Sequence, residues 1–249
     1  MKATGNTLLI TGGTAGIGLG MALRFWAAGN RVVVAGRRED VLDRIAADHP
    51  GLGTVVLDVT DPVSIARAAR TLAETHPELN VLVNNAGVMA QEDLLDASSV
   101  SVAEAHVTTN LLGPVRTTYA FLPQLLRNDD PVVVNVTSAL GFVPWAATPT
   151  YSATKAALHS FTQSLRVQLA DRSVQVVEVV PPAVRTTLMG QQDDPDAMPL
   201  EEFLDEALGL LHSDRDVEEV VVRRAEFARY AEATGTHRQV LAMLSGVTR

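Results

Sequence analysis

The chain has 249 residues, 47% of them hydrophobic and 20% charged, enough for one core of the larger kind or two small ones. A formal charge of −9 argues against a nucleic-acid surface, and the absence of cysteine excludes disulfides, a thiolate nucleophile and cysteine-held metal. The six histidines show no paired ligand spacing, so no metal is expected.

The opening MKATGNTLLITGG runs directly into a strand and turn, without the apolar stretch of a signal peptide or membrane span. A cytoplasmic protein with neither membrane nor nucleic-acid partner is expected. β-Branched runs follow at TLLIT (7–11), RVVVA (31–35), TVVL (54–57), VLVNN (81–85), VVVNVT (132–137), VQVVEVV (174–180) and EVVV (219–222). Amphipathic stretches separate them, one opened by Asp61 as N-cap and Pro62 at the first helical position. Strand and helix alternating in this way predict an α/β class with a doubly wound sheet, mostly or wholly parallel, with about seven strands and helices on both faces. No linker or repeat divides the chain, so residues 1–249 read as a single domain. Ligands of such sheets sit at the carboxyl ends of the strands, where strand order reverses.

The first strand is followed by TGGTAGIG, with Gly12, Gly16 and Gly18 leading into a helix. Glycines let the backbone approach a pyrophosphate while the helix N-terminus offers unpaired N–H groups, although a turn required by packing alone reads the same way. The second strand ends in Gly36, Arg37 and Arg38, where many NAD sites place an acid. Guanidinium groups there favour a 2′-phosphate and hence NADP over NAD; the plain alternative is the solvated start of a helix. Asp58 ends the third strand, placed to accept from an adenine amino group, and Asn84 to Gly87 end the fourth. In TPTYSATKAALHS, Tyr151 and Lys155 stand one helical turn apart among small residues, so that phenol and ammonium address one ligand; a half-buried helix with a snorkelling lysine is the alternative.

TGGTAGIG (11–18), DV (58–59), NNAG (84–87), TNLLGP (109–114), VNVTSALG (134–141), YSATK (151–155) and PPAVRT (181–186), in that order, make the chain resemble the short-chain dehydrogenase/reductases over most of its length. The resemblance implies a catalytic group of Ser138, Tyr151 and Lys155 supported by Asn110. Tyr151 would be the general acid or base, Lys155 would lower its pKa and hold the nicotinamide ribose, Ser138 would orient the substrate oxygen, and Asn110 would hold a proton-relay water. The implied cofactor site comprises Gly12, Thr14, Gly16, Ile17 and Gly18 in the first turn, Arg37, Arg38, Asp58 and Val59 toward the adenosine, and Asn84, Ala86, Gly87, Tyr151, Lys155, Pro181, Val184 and Thr186 toward the nicotinamide. The reaction expected is hydride transfer between NADP(H) and a carbonyl or alcohol. An NAD-dependent alcohol dehydrogenase, a non-redox epimerase or dehalogenase on this fold, and a nucleotide-sensing binding protein are the alternatives.

Met89, Ser138, Leu140, Phe142, Trp145, Tyr151, Leu188 and Met189 would wall a pocket for a mainly apolar ketone or aldehyde, under a lid around residues 184–212. His106 and His159 read as surface or packing residues, because the Tyr–Lys pair already fills the acid–base role. Two features depart from the family pattern. Pro181-Pro182 stands where Pro-Gly is common, and the C-terminal part lacks the late glycine pair expected of tetrameric members. The helices of Asn110 and Tyr151 carry apolar or small residues on more than one face, which predicts a homodimer, with a tetramer as the larger possibility.

Overall fold

Strands covered on both faces have no polar side to show, and the apolar runs form seven of them: β1 (Thr7–Thr11), β2 (Arg31–Gly36), β3 (Gly53–Val56), β4 (Val81–Asn84), β5 (Val132–Val136), β6 (Gln175–Val180) and β7 (Glu219–Val221). The computed structural model describes residues 1–246. All seven strands lie parallel in one sheet of order β3-β2-β1-β4-β5-β6-β7. The chain leaves β1 toward β2 and β3, then returns to lay β4 on the other side of β1. That reversal is the switch point at which a ligand crevice opens.

Successive residues of each strand point to opposite faces, so the sheet feeds two cores. On one face Leu8, Ile10, Val34, Val83 and Val179 meet Met21 and Phe25 of α1 (Gly16–Ala27), Leu42 of α2 (Glu39–Asp48), and Phe203 and Leu204 of α7 (Leu200–Ser213). On the other, Leu9, Val33, Leu82, Val133 and Val176 meet Leu72 of α3 (Pro62–Thr75), Phe121 of α5 (Gly113–Leu125) and Leu165 of α6 (Pro149–Gln168). Each such side chain contributes about 1.5–3 kcal/mol of transfer free energy on burial. The cap of α3 forms as expected: Asp61 accepts from the Val63 N–H at 2.8 Å, with Pro62 in the first turn.

Two helices carry Asn110, Tyr151 and Lys155. Val100–His106 (α4) runs through a π-helical turn, Val107–Leu112, into α5, and Asn110 lies in that wider turn. In α6, Tyr151, Thr154, Lys155, Leu158, Thr162 and Leu165 are buried at helical spacing, while Ala153, Ala156, Ser160, Ser164 and Val167 lie exposed. After β7, a short helix α8 (Glu226–Arg229) packs on the turn Ala139–Gly141, and α9 (His237–Ser245) follows. The segment after β6 is laced down at both ends: the Arg185 N–H donates to Met198 O and the Met198 N–H to Ala183 O, both at 2.8 Å. Among the described residues no helix is long and apolar enough to cross a membrane.

Candidate active site

Where β1 ends, the backbone must turn in almost no space. Gly12 has φ +62°, and a Cβ there would stand 2.7 Å from Ala86 Cα at the end of β4. Thr11 Oγ1 accepts from the Asn85 N–H at 3.0 Å and from the Ala86 N–H at 3.2 Å, while Asn85 Nδ2 donates to the carbonyls of Thr11 and Gly12, both at 3.1 Å. These bonds hold the two central strand ends together under a cleft of about 910 Å³. The first turn of α1 faces that cleft through Gly16, Ile17 and Gly18, and no side chain caps the helix. Its leading N–H groups have no intrahelical partner, the donor set that a phosphate takes.

Thr14, Gly36, Arg37, Arg38, Asp58 and Val59 line the same cleft on the β2–β3 side. Among the described residues neither arginine enters an ion pair, and both are exposed. Asp58 Oδ1 accepts from the Thr60 N–H at 2.8 Å and from its hydroxyl at 2.7 Å, tying down the loop after β3.

At the opposite end, β5 delivers Ser138 into the cleft. Its Oγ accepts from the Leu140 N–H at 3.1 Å and closes the turn Ala139–Gly141. Gly141 lets the turn rest closely on the α6 backbone, where a Cβ would stand 3.0 Å from the Lys155 carbonyl carbon. Tyr151, in the first turn of α6, lines the cleft with Ser138, and burial pushes its phenol up to about 12, an effect that the Ser138 hydroxyl opposes. Lys155 Nζ donates to the Val136 carbonyl at 2.8 Å and lies 5.7 Å from the Tyr151 ring centre. Burial brings its ammonium down to about 8, opposed by the charge of Glu178. Desolvation is the larger influence on Tyr151, and Lys155 engages a strand carbonyl.

Asn110 is wholly buried, and its amide pairs with both backbone groups of Val88, accepting from N–H and donating to C=O at 2.8 Å each. It pins the loop after β4 against the π-helical turn. His106 is buried as well. Its Nε2 accepts from the Ala90 N–H at 3.1 Å, so the ring proton sits on Nδ1, facing Thr150 Oγ1 at 2.8 Å and Glu92 Oε1 at 3.3 Å. Burial lowers its pKa and keeps it neutral, and it serves packing as expected.

Three expected contacts fall elsewhere. Asn84 does not reach the cleft: Nδ2 donates to Thr118 Oγ1 and Asn135 Oδ1 at 3.1 and 2.9 Å, and Oδ1 accepts from Thr117 at 2.6 Å. Its neighbour Asn85 lines the cleft instead. Phe142 turns away to pack edge-on against His159, with centroids 4.7 Å apart and Arg229 over its other side. Met189, at φ +57° in a kinked segment, is not among the cleft residues, whereas Leu188 is. Ala86, Gly87, Met89, Leu140, Trp145, Pro181, Val184 and Thr186 do line it. So do Arg224, Phe227 and Leu244 from the C-terminal part, which no motif marks and no sequence reading found.

A parallel sheet with a glycine turn and a capless helix N-terminus at its switch point, and with Ser138, Tyr151 and Lys155 gathered at the end of β5, defines a dinucleotide-binding oxidoreductase scaffold. The chain belongs to the short chain dehydrogenase family, whose model matches residues 6–197. It is similar to the uncharacterized oxidoreductase DltE of Bacillus subtilis, with 41% identity over 195 residues covering 78% of this chain and 77% of the relative. Among solved structures, a short chain dehydrogenase from Burkholderia cenocepacia in complex with NADP shares 26% identity at a TM-score of 0.83 over the full length of both chains. The 3-ketoacyl-(acyl-carrier-protein) reductase from Brucella melitensis, complexed with NADH, shares 25% identity at a TM-score of 0.78, covering 90% of this chain and all of the other.

Proposed function

We propose that the protein is an NADP(H)-dependent oxidoreductase acting on a mainly apolar ketone or aldehyde, or on the corresponding alcohol. The observation that carries this reading is the convergence of Ser138, Tyr151 and Lys155 in a cleft that continues past the first-turn glycines to Arg37 and Arg38.

The residues present fit a dinucleotide. The N–H groups of α1 would donate to the pyrophosphate oxygens, and the backbone at Gly12 leaves room for their approach. Arg37 and Arg38 supply positive charge for a 2′-phosphate, with no acid at the end of β2 to repel it. When bound, the nicotinamide gives up or takes the hydride. Tyr151, held protonated by burial, gives its proton to the substrate oxygen in reduction, and Ser138 donates a hydrogen bond to the same oxygen. Lys155 would hold the ribose hydroxyls, and Asn110, which places the backbone of Val88 beside the site, would support a proton-relay water. Met89, Leu140, Trp145, Leu188, Phe227 and Leu244 favour an apolar substrate body.

The same reading makes the protein cytoplasmic and a homodimer joined through α5 and α6, with the segment 184–212 closing over substrate as a lid. The exposed Ala153, Ala156, Ser160 and Val167 on α6, with Tyr119 on α5, support that contact. Light scattering at micromolar concentration should give twice the chain mass; a monomer would refute the dimer. The function is tested by a panel of ketones, aldehydes and alcohols with NADPH and NADP, followed at the nicotinamide absorbance. Turnover of at least one apolar carbonyl is expected, and none across the panel would refute the reading.

A further inference from the structure

Glu178 occupies the middle of β6 with no exposed surface, a position at which a carboxylate is almost never found unless paired. Its Oε1 accepts from Thr137 Oγ1 at 2.7 Å, and its Oε2 lies 2.6 Å from His159 Nδ1. Thr137 follows Val136, whose carbonyl binds Lys155 Nζ, and precedes Ser138, so one carboxylate oxygen holds the segment at the end of β5 that serves both residues. His159 lies one helical turn beyond Lys155 on α6, and its side chain is 18% exposed, which leads from the buried lysine toward solvent.

The outer half of the cluster comes from the C-terminal part, beyond the residues that the family model matches. Glu219 of β7 has its carboxylate within 4.8 Å of the His159 and Glu178 ligand atoms, and it accepts two bonds from Arg229 at 2.8 and 2.9 Å. Arg229 lies 4.7 Å from the centre of the Phe142 ring, on the turn that follows Ser138. Arg229 supplies the positive charge that a metal ion would bring, so the three ligand-bearing residues read as an ionic network.

Resting on the reading of Ser138, Tyr151 and Lys155 as the reactive group, we propose that Glu178 is a positioning residue for it. Its carboxylate fixes the end of β5 through Thr137 and is the buried counter-charge that keeps the Lys155 ammonium in the site, while His159, Glu219 and Arg229 close the network toward solvent. The charged and titratable groups around Lys155 and Glu178 are Tyr151, His159 and Arg166 on α6, Glu219 on β7 and Arg229 on α8. Of these groups, only Glu178 acts on Lys155 by opposing the effect of burial on the ammonium. The geometry carries the positioning role: Glu178 Oε1 holds Thr137 Oγ1 while the carbonyl of the adjacent Val136 holds Lys155 Nζ, so carboxylate and ammonium grip neighbouring residues of one strand end.

The test is a double-mutant cycle of thermal unfolding with Glu178→Gln and Lys155→Met, run at about pH 7 and about pH 10. Glutamine keeps an acceptor for Thr137, and the His159 ring can exchange tautomers to meet the amide. At the lower pH, Glu178→Gln should lower Tm by several degrees in the native protein and by at most half as much beside Lys155→Met. At the higher pH, where Lys155 has lost its proton, the two losses should converge. Equal losses in both backgrounds, or a coupling unchanged between the two pH values, would overturn the proposal. Glu178→Gln that folds only beside Lys155→Met supports it, and failure to fold in either background overturns it. No arm of the cycle uses turnover, so a protein that reduced no carbonyl would refute the proposed function without touching this result.

Discussion

Lys155 and Val136 are joined by a 2.8 Å hydrogen bond from the buried ammonium to a strand-end carbonyl, and this bond ties α6 to β5. The lysine is thereby placed beside Tyr151 at an energetic cost, since burial brings its pKa to about 8 from an ordinary 10.5.

That cost has a signature in pH. Between about 8 and 10.5 the unfolded chain carries a proton on Lys155 that the folded protein does not, so this group makes the fold more stable as pH rises through the window. Relative to the native protein, Lys155→Met should therefore lose ground from pH 8 to pH 10, at a slope approaching about 1.4 kcal/mol per pH unit. Tyr151, raised from 10 to about 12, contributes stability that is complete below 10 and does not mask the slope. Urea unfolding at half-unit pH steps checks this, and a difference in stability that does not change with pH would contradict it.

Cofactor choice rests on Arg37 and Arg38. Arg37→Ala should weaken NADPH binding by roughly tenfold or more, the value of a lost charge-assisted bond, and leave NADH binding nearly unchanged. Titration calorimetry of both nucleotides checks it, and equal affinities for the two in the native protein would refute the preference.

Glu92 joins the loop after β4 to the start of α6. Its side chain is 2% exposed, and Oε1 accepts from the Thr150 N–H at 3.1 Å and from its hydroxyl at 2.5 Å, next to Tyr151. Glu92→Ala should cost about 1–3 kcal/mol, because the part-buried N–H and hydroxyl of Thr150 both lose their acceptor. A Tm within a degree of native would show that the latch is dispensable.

Much of this was legible in the residues because buried parallel strands announce themselves as β-branched runs and their C-terminal ends mark the crevice. Strand bounds agree to within about two residues, and the α3 cap falls on Asp61. The errors share a cause: where both faces of a strand are covered, alternation no longer says which side chain looks where. Asn84 and Asn85 are adjacent amides of one motif, yet the last buried position of β4 turns the first inward and leaves the second in the cleft. Phe142 follows Ser138 closely in sequence, but Gly141 seats the turn on α6 and sends the ring toward His159. Arg224, Phe227 and Leu244 reach the cleft through tertiary packing that no local pattern encodes. Glu178 carried a signal that the run VQVVEVV shows openly: a lone carboxylate in a strand without a polar face requires a buried partner.

The central claim is that Tyr151 supplies the proton, and the most direct measurement is single-turnover hydride transfer to an accepted carbonyl at saturating NADPH, native against Tyr151→Phe. The substitution removes one hydroxyl, so NADPH should bind as before while the rate falls by roughly a hundred- to ten-thousandfold. A near-native rate in Tyr151→Phe would show that the proton comes from elsewhere and would contradict the account.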